Sequence, residues 1–245
     1  MGITQVHDGI VRIEQAGTNC YLVHRDGAPF FVDAGLPRSL GLAEEALRAA
    51  GFDWGDVSDV VLTHAHFDHL GFAAHAARAG ARVWAHPGDH RIAGRPYRYK
   101  PGRLRLLYPV RHPASLPVLA RMVAAGALRV EGVESVENLH PGVAGLPGGL
   151  EVVAAPGHTD GHCVLHLSDL GVVFTGDALV TLDPYTGRTG PRIVARAGTK
   201  DAVGALRSLD LIADTGAGLV LPGHGEPWRD GVASAVAAAR AAGVA

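Results

Sequence analysis

Cysteine is nearly absent from this chain: Cys20 and Cys163 are the only two among 245 residues, far apart and in no C-x-x-C pair. No disulfide scaffold is implied, and both thiols are expected to be small buried hydrophobes in a reducing compartment. Long apolar runs are missing too. None approaches the roughly 20 residues of a membrane span, and MGITQVHDGIVRI lacks the basic start and apolar core of a secretory leader. The expectation is a soluble, cytoplasmic protein without a membrane partner. Nor is there an excess of either charge: 22 Lys and Arg against 24 Asp and Glu leave a net charge of −2. That balance gives no global argument for a nucleic-acid partner.

What is present is apolar sequence and histidine. At 47% hydrophobic residues the chain can bury one sizeable core, so residues 1–245 read as a single domain. Short strands are expected at Ile3–Val6, Ile10–Glu14 and Cys20–His24, separated by turn residues such as Asp8-Gly9, Gly17 and Asp26-Gly27. Phe30–Val32 and Val57–Leu62 read as buried strands, with a helix over Leu40–Ala50 between them. A helix (Phe72–Ala79) and a strand (Arg82–Ala85) follow. From about 86 to 143 the texture changes, because Pro87, Pro96, Pro101, Pro109, Pro113 and Pro117 interrupt every element but a helix at Leu116–Ala125. That stretch reads as a lid-like insertion with too little apolar sequence for its own core. Strands resume at Leu150–Ala154, Cys163–Leu167, Val172–Thr175 and Leu219–Leu221, with helices at Asp201–Ile212 and about Gly231–Ala242. Two strand-rich halves, each with helices attached, imply two sheets covered by helices.

Fourteen histidines are too many to ignore, and their placement carries the chemistry. THAHFDHLG, residues 63–71, packs His64, His66, Asp68 and His69 into six positions directly after a strand. His64 and His66 are two apart in extended chain, so their side chains can point the same way. Asp68 and His69 fall where the chain turns, and can aim at a neighbouring point. Imidazole with carboxylate is the ligand set of zinc and related divalent ions. Pro156-Gly157-His158-Thr159, Thr175-Gly176-Asp177-Ala178 and Pro222-Gly223-His224-Gly225 each place one further ligand type in a glycine-flanked turn at a strand end.

In these four segments the chain resembles the metallo-β-lactamase superfamily, whose dinuclear hydrolases carry H-x-H-x-D-H, then H, then D, then H. The resemblance implies an α/β fold, the αββα four-layer sandwich, with the site at one edge between the sheets. It also implies two divalent ions, zinc first, with iron or manganese accepted by the same ligands. His64, His66 and His158 would hold one ion, Asp68, His69 and His224 the other, with Asp177 as the bridge; Asp68 and Asp177 would serve catalysis. An aspartate at 177 argues against a β-lactamase and for the glyoxalase II, lactonase and phosphodiesterase branch. The chain ends soon after His224 without a glutathione-binding helical domain, which argues against a specialised glyoxalase II and leaves a related thioesterase open. The implied reaction is hydrolysis of a small ester, thioester or lactone by a hydroxide shared between two ions; no serine or cysteine nucleophile is evident.

Asp33, in FVDAG, resembles the strand-end aspartate that orients such sites from behind the ligands. His162 is placed to hydrogen-bond near them. Tyr185 could donate a hydrogen bond to a substrate oxygen, as a tyrosine does in some lactonases, although its spacing from Asp177 differs. Arg91, Arg95, Arg98, Lys100, Arg103, Arg105 and Arg111 occur with no acidic residue among them, interleaved with Tyr97, Tyr99 and Tyr108. The segment is expected to be a charged loop, an oligomer contact, or a surface for an anionic small-molecule substrate. It is too short, in too acidic a chain, to argue for nucleic acid. Two other activities stay open. One is a mononuclear iron persulfide dioxygenase, which the chain resembles in PGHTDG and GDAL; the other is a phosphodiesterase or nuclease.

Overall fold

Strands buried on both faces read as unbroken apolar runs, yet alternate residues still part to opposite sides. That sorting generates the layers of this molecule. The computed structural model describes residues 1–25, 27–99, 102 and 108–245. Asp26 of the expected turn and Lys100, Pro101, Arg103 and Arg105 of the 86–143 segment lie outside the described residues. The first sheet has seven strands paired in chain order: β1 (Gly2–His7), β2 (Ile10–Gln15), β3 (Thr18–Val23), β4 (Phe30–Val32), β5 (Asp59–Val61), β6 (Arg82–Ala85) and β7 (Glu137–Asn138). It is antiparallel up to β4 and parallel from β4 to β7. The second sheet runs β13 (Leu219–Pro222), β10 (Val172–Gly176), β9 (Cys163–Leu167), β8 (Glu151–Ala154), with β10 and β13 parallel. A ribbon of β11 (Val180–Leu182) and β12 (Thr189–Arg192) stands beside it.

Phe30, Val32 and Val61 of the first sheet meet Cys163, Leu165, Phe174, Leu219 and Leu221 of the second in one dry layer. The intervening Phe31, Val60 and Leu62 point the other way, onto Leu47 of helix α1 (Ser39–Ala49) and Ala73 and Ala76 of α2 (Ala73–Ala79). Val164, Val173 and Val220 likewise face Leu209 of α6 (Ala202–Ala213) and Val236 of α7 (Val232–Ala242). The result is helix, sheet, sheet, helix. Tyr21 and Phe174 cross the sheet interface edge to face, with ring centroids 5.2 Å apart. Helix ends follow local chemistry: the Asp201 carboxylate accepts from the Val203 and Gly204 amides to start α6, and Gly80, at φ 110°, closes α2.

The expected insertion is only partly an excursion. It holds the short helices α3 (His90–Gly94) and α4 (Tyr108–Arg111) and the amphipathic α5 (Leu116–Ala124). Val118 and Met122 of α5 join Ala16 and Leu36 of the first half in a satellite core. Within it, Glu137 and Asn138 return to pair with Trp84 and Ala85 as the edge strand β7.

The parallel order has a consequence for chemistry. β4, β5 and β6 all end at one edge, and so do β10 and β13, which is where α/β sheets place their functional loops. Cys163 begins an antiparallel strand, so the loop before it opens at that same edge. The Cys163 amide donates to the Thr63 carbonyl (2.8 Å), joining the two sheets there.

Phe174→Ala should destabilise the fold by about 3–5 kcal/mol in urea unfolding; a loss below about 1 kcal/mol would contradict a packed interface between the sheets. Burial, with Asp89 nearby, pushes the Cys163 thiol up to about 12, and burial with Asp33 raises that of Cys20. Neither should react with iodoacetamide in the native state near pH 8, and both should after unfolding, as read by mass spectrometry.

Candidate metal centre

A buried imidazole is set to ligate through one nitrogen when the other is hydrogen-bonded, because that bond fixes the tautomer and the ring orientation. Four of the five expected histidines meet this condition at Nδ1. His69 Nδ1 donates to Asp33 Oδ2 (2.9 Å), and His224 Nδ1 to the Gly17 carbonyl (3.1 Å). His64 Nδ1 donates to Thr63 Oγ1 (3.1 Å), whose hydroxyl in turn donates to Asp33 Oδ2 (2.9 Å). His158 Nδ1 donates to Thr199 Oγ1 (3.2 Å), whose hydroxyl donates to the Val194 carbonyl (2.7 Å). Each therefore presents Nε2. His66 presents its other nitrogen, with Nδ1 2.8 Å from His158 Nε2.

These atoms converge. Potential ligand atoms of His64, His66 and His158 lie within 4.8 Å of one another, as do those of Asp68, His69 and His224 and those of His64, His69 and Asp177. Asp177 stands between the first two sets: Oδ2 is 3.3 Å from His158 Nε2 and 3.4 Å from His224 Nε2, and Oδ1 is 3.4 Å from His69 Nε2. Asp68 Oδ2 is 3.3 Å from His224 Nε2. All seven side chains are buried. His64 Nε2, His69 Nε2, His224 Nε2 and Asp177 Oδ1 make no hydrogen bond. Buried polar atoms left without partners are expensive, and four aimed into one volume fit a cation.

Charge points the same way. Burial pushes His64 well below the usual imidazole range and His158 to about 4. Burial acts on His69 and His224 as well, but Asp33 and Asp177 outweigh it at His69, and Asp177 and Asp68 raise His224 to about 10. Burial disfavours the Asp177 carboxylate, yet the surrounding imidazoles hold it well below its usual range. The carboxylates thus draw positive charge into the cluster, the demand that divalent ions would meet.

The supporting residues explain the precision. Asp33 has φ 58°, a left-handed conformation that is strained for a side chain larger than glycine, and it serves Thr63 and His69 together. His162 Nε2 accepts from the Asp177 and Ala178 amides (3.0 and 3.2 Å), so it holds the Asp177 loop rather than a ligand side chain. Gly223 is required by space, since a Cβ there would come within 2.5 Å of Asp177 Oδ1. Tyr185 lines the cavity above the cluster, its amide donating to Asp183 Oδ1 (3.1 Å). His86 is structural: its Nδ1 accepts from the Gly88 amide (3.0 Å).

Sequence reasoning missed Asp89. It is fully buried, and its carboxylate accepts from the Ala65 amide (3.1 Å), the Thr159 hydroxyl (2.7 Å) and the Gly161 amide (3.0 Å). It therefore ties the His64–His66 loop to the His158 loop. The signal was present in Ala85-His86-Pro87-Gly88-Asp89 after a strand, but its partners lie up to 72 residues away.

Fold and cluster together define the class: two sheets between helices, with a buried histidine–aspartate centre at the strand ends. The chain belongs to the metallo-beta-lactamase superfamily, whose family model matches residues 14–224. It is 28% identical over 171 residues to a protein of Bacillus subtilis (strain 168) named "Probable metallo-hydrolase YflN", covering 67% of this chain and 62% of that protein. It is 28% identical over 142 residues to the hydroxyacylglutathione hydrolase of Jannaschia sp. (strain CCS1), covering 57% of this chain and 39% of that protein. The chain spans less than two thirds of the length of these curated relatives. Among solved structures, a metallo-beta-lactamase family protein from Thermus thermophilus superposes with a TM-score of 0.68 at 28% identity, over 95% of this chain and 78% of that one. Among the described residues, no helix is long and apolar enough to cross a membrane.

Asp89→Ala should reduce metal affinity about ten- to a hundredfold although Asp89 touches no ligand side chain. Metal titration of the folded variant checks this; wild-type affinity would show that the two loops hold their geometry without it.

Proposed function

We propose that this protein is a metal-dependent hydrolase of small esters, thioesters or lactones, with two divalent ions, zinc first, at the cluster. The observation that carries the reading is the pair of three-residue ligand sets, with one aspartate between them, at the floor of a cavity of about 330 Å³. His64, His66 and His158 would hold one ion, and Asp68, His69 and His224 the other, with Asp177 shared. Bound there, such ions supply Lewis acidity toward a carbonyl oxygen and acidify water. The rest falls to the chain. Phe67, Leu119, Met122 and Leu128 wall the cavity with apolar surface that seats the substrate and limits water. Asp68 faces the same cavity; burial disfavours its ionised form, but His224 and His69 outweigh that and keep it a carboxylate. It would accept the proton of the attacking water and pass it to the leaving atom. Tyr185 offers a hydroxyl to a substrate oxygen. A hydroxyacylglutathione hydrolase among the relatives supports the thioester option. Asp68, His69 and His224, a complete second set, favour two ions over the single iron of a dioxygenase, and the apolar walls favour a carbonyl substrate over a phosphodiester.

Elemental analysis of the purified protein should find about two ions per chain, and a chelator should abolish turnover that zinc restores. His224→Ala should lower the content toward one ion. A fall to none, or no change, contradicts the division into two sets. Asp177→Asn should keep the fold but bring ester or thioester hydrolysis close to background. Unchanged turnover at full metal content would remove Asp177 from its bridging role, and one iron per chain with oxygen uptake would replace the hydrolase by the dioxygenase.

A further inference from the structure

Two cavities, not one, meet over the ligand cluster. The first, already described, is apolar. The second, of about 430 Å³, is lined by Arg91, Arg98, Asp160 and Lys200, among others. His66, Tyr99 and His158 line both. Tyr99 lies over His66 with ring centroids 4.0 Å apart and a 33° tilt, so the divide between the cavities stands on the cluster itself. The two sides differ in charge. Lys200 is paired with Asp160, whereas among the described residues neither Arg91 nor Arg98 forms an ion pair. Two guanidinium groups therefore give this compartment its net positive charge.

The walls are built rather than accidental. Tyr97 stacks on Phe67 at 6.0 Å, its hydroxyl donates to the Ala127 carbonyl (3.0 Å), and it accepts from the Val130 amide (2.7 Å). These contacts clamp the segment that carries Arg91 and Arg98 against the chain just beyond α5. One stretch of sequence thus shapes the apolar wall and supplies the charges beside it.

We propose that the substrate is an amphiphile that spans both cavities. Its scissile carbonyl lies over the cluster, its apolar arm sits against Phe67, Tyr97, Met122 and Leu128, and its anionic arm, a carboxylate or phosphate, meets Arg91 and Arg98. This assignment of the substrate class rests on the hydrolase reading. In the reaction, water adds to the carbonyl carbon and the carbon–oxygen or carbon–sulfur bond breaks. One proton goes to the departing oxygen or sulfur and a carboxylic acid remains, with no oxidant or reductant. Guanidinium recognises both oxyanions in the same bidentate manner, and apolar burial scales with arm length.

Binding and turnover separate the two claims. The probes are non-hydrolysable ketone isosteres of the ester: an octyl ketone with a neutral terminus, the same ketone ending in carboxylate or in phosphate, and a methyl counterpart of each. Calorimetry on the metal-loaded protein should show the charged octyl ketones binding about tenfold or more tightly than the neutral one, with the phosphate-to-carboxylate order naming the anion. In the Arg91→Gln/Arg98→Gln variant that ratio should collapse toward one. Both side chains are exposed, so the replacement leaves packing intact. Each methylene removed from the apolar arm should weaken binding about fourfold. Equal binding of neutral and charged ketones, a ratio that survives the double substitution, or no dependence on arm length overturns the proposal. The matching esters and thioesters are then assayed for hydrolysis. Ketones that bind as expected while no ester turns over would retire the hydrolase and keep the two compartments; hydrolysis without charge preference would do the reverse.

Discussion

A polar atom held in a dry interior without a partner costs about 1–3 kcal/mol, and this chain holds four such ligand atoms around one small volume. Nothing in the packing of the two sheets requires that expense. The sheets would close as well over apolar residues, as they do along the rest of their interface. The cluster is therefore the constraint to which the neighbouring structure answers. The loops after β5, β10 and β13 and the loop before β9 must deliver ligands to one place, the imidazoles must be held in fixed orientations, and glycine must stand at 223, where a Cβ would push into the site.

The tautomer locks come from different places, and this spreads the site through the fold. Asp33 follows β4 and fixes His69 directly and His64 through Thr63. The His224 loop is held by the β2–β3 hairpin: Gly17 accepts from His224, and Asn19 Nδ2 donates to the Pro222 and Gly225 carbonyls. Thr199, before α6, fixes His158. Asp89, after β6, couples the His64–His66 loop to the His158 loop. Each lock is only a few hydrogen bonds, yet together they span both sheets. Loss of any one is expected to be felt as geometry before it is felt as stability.

This distribution explains what could be read from the sequence. His64, His66, Asp68 and His69 declare themselves because four ligand residues fall within six positions shortly after a strand. His158, Asp177 and His224 are each unremarkable alone and become legible as a set in order. Asp33 is legible because it ends an apolar strand in FVDAG. The buried strands and longer helices also appear near their expected bounds, because period and termination are local properties. Asp89 is not legible: a carboxylate a few residues past a strand looks like a turn residue until the 158–161 loop arrives beside it. β7, β11 and β12 escape notice because two to four residues, with Gly190 and Pro191 in β12, carry no period to detect. The cavities follow from packing between segments distant in sequence.

The near-neutral composition conceals a local imbalance that bears on chemistry. Neutral imidazoles bring no charge to a metal, so Asp68 and Asp177 alone would face a pair of divalent ions and leave them under-neutralised. Arg91 and Arg98 open onto the same space. A centre with surplus positive charge, in a partly dry cleft, concentrates anions and strengthens every interaction with charge that develops on a carbonyl oxygen. The apolar cavity on the other side contributes little field but offers burial. Affinity can then come from one arm of a substrate and orientation from the other, so the reacting bond is positioned by groups that need not take part in breaking it.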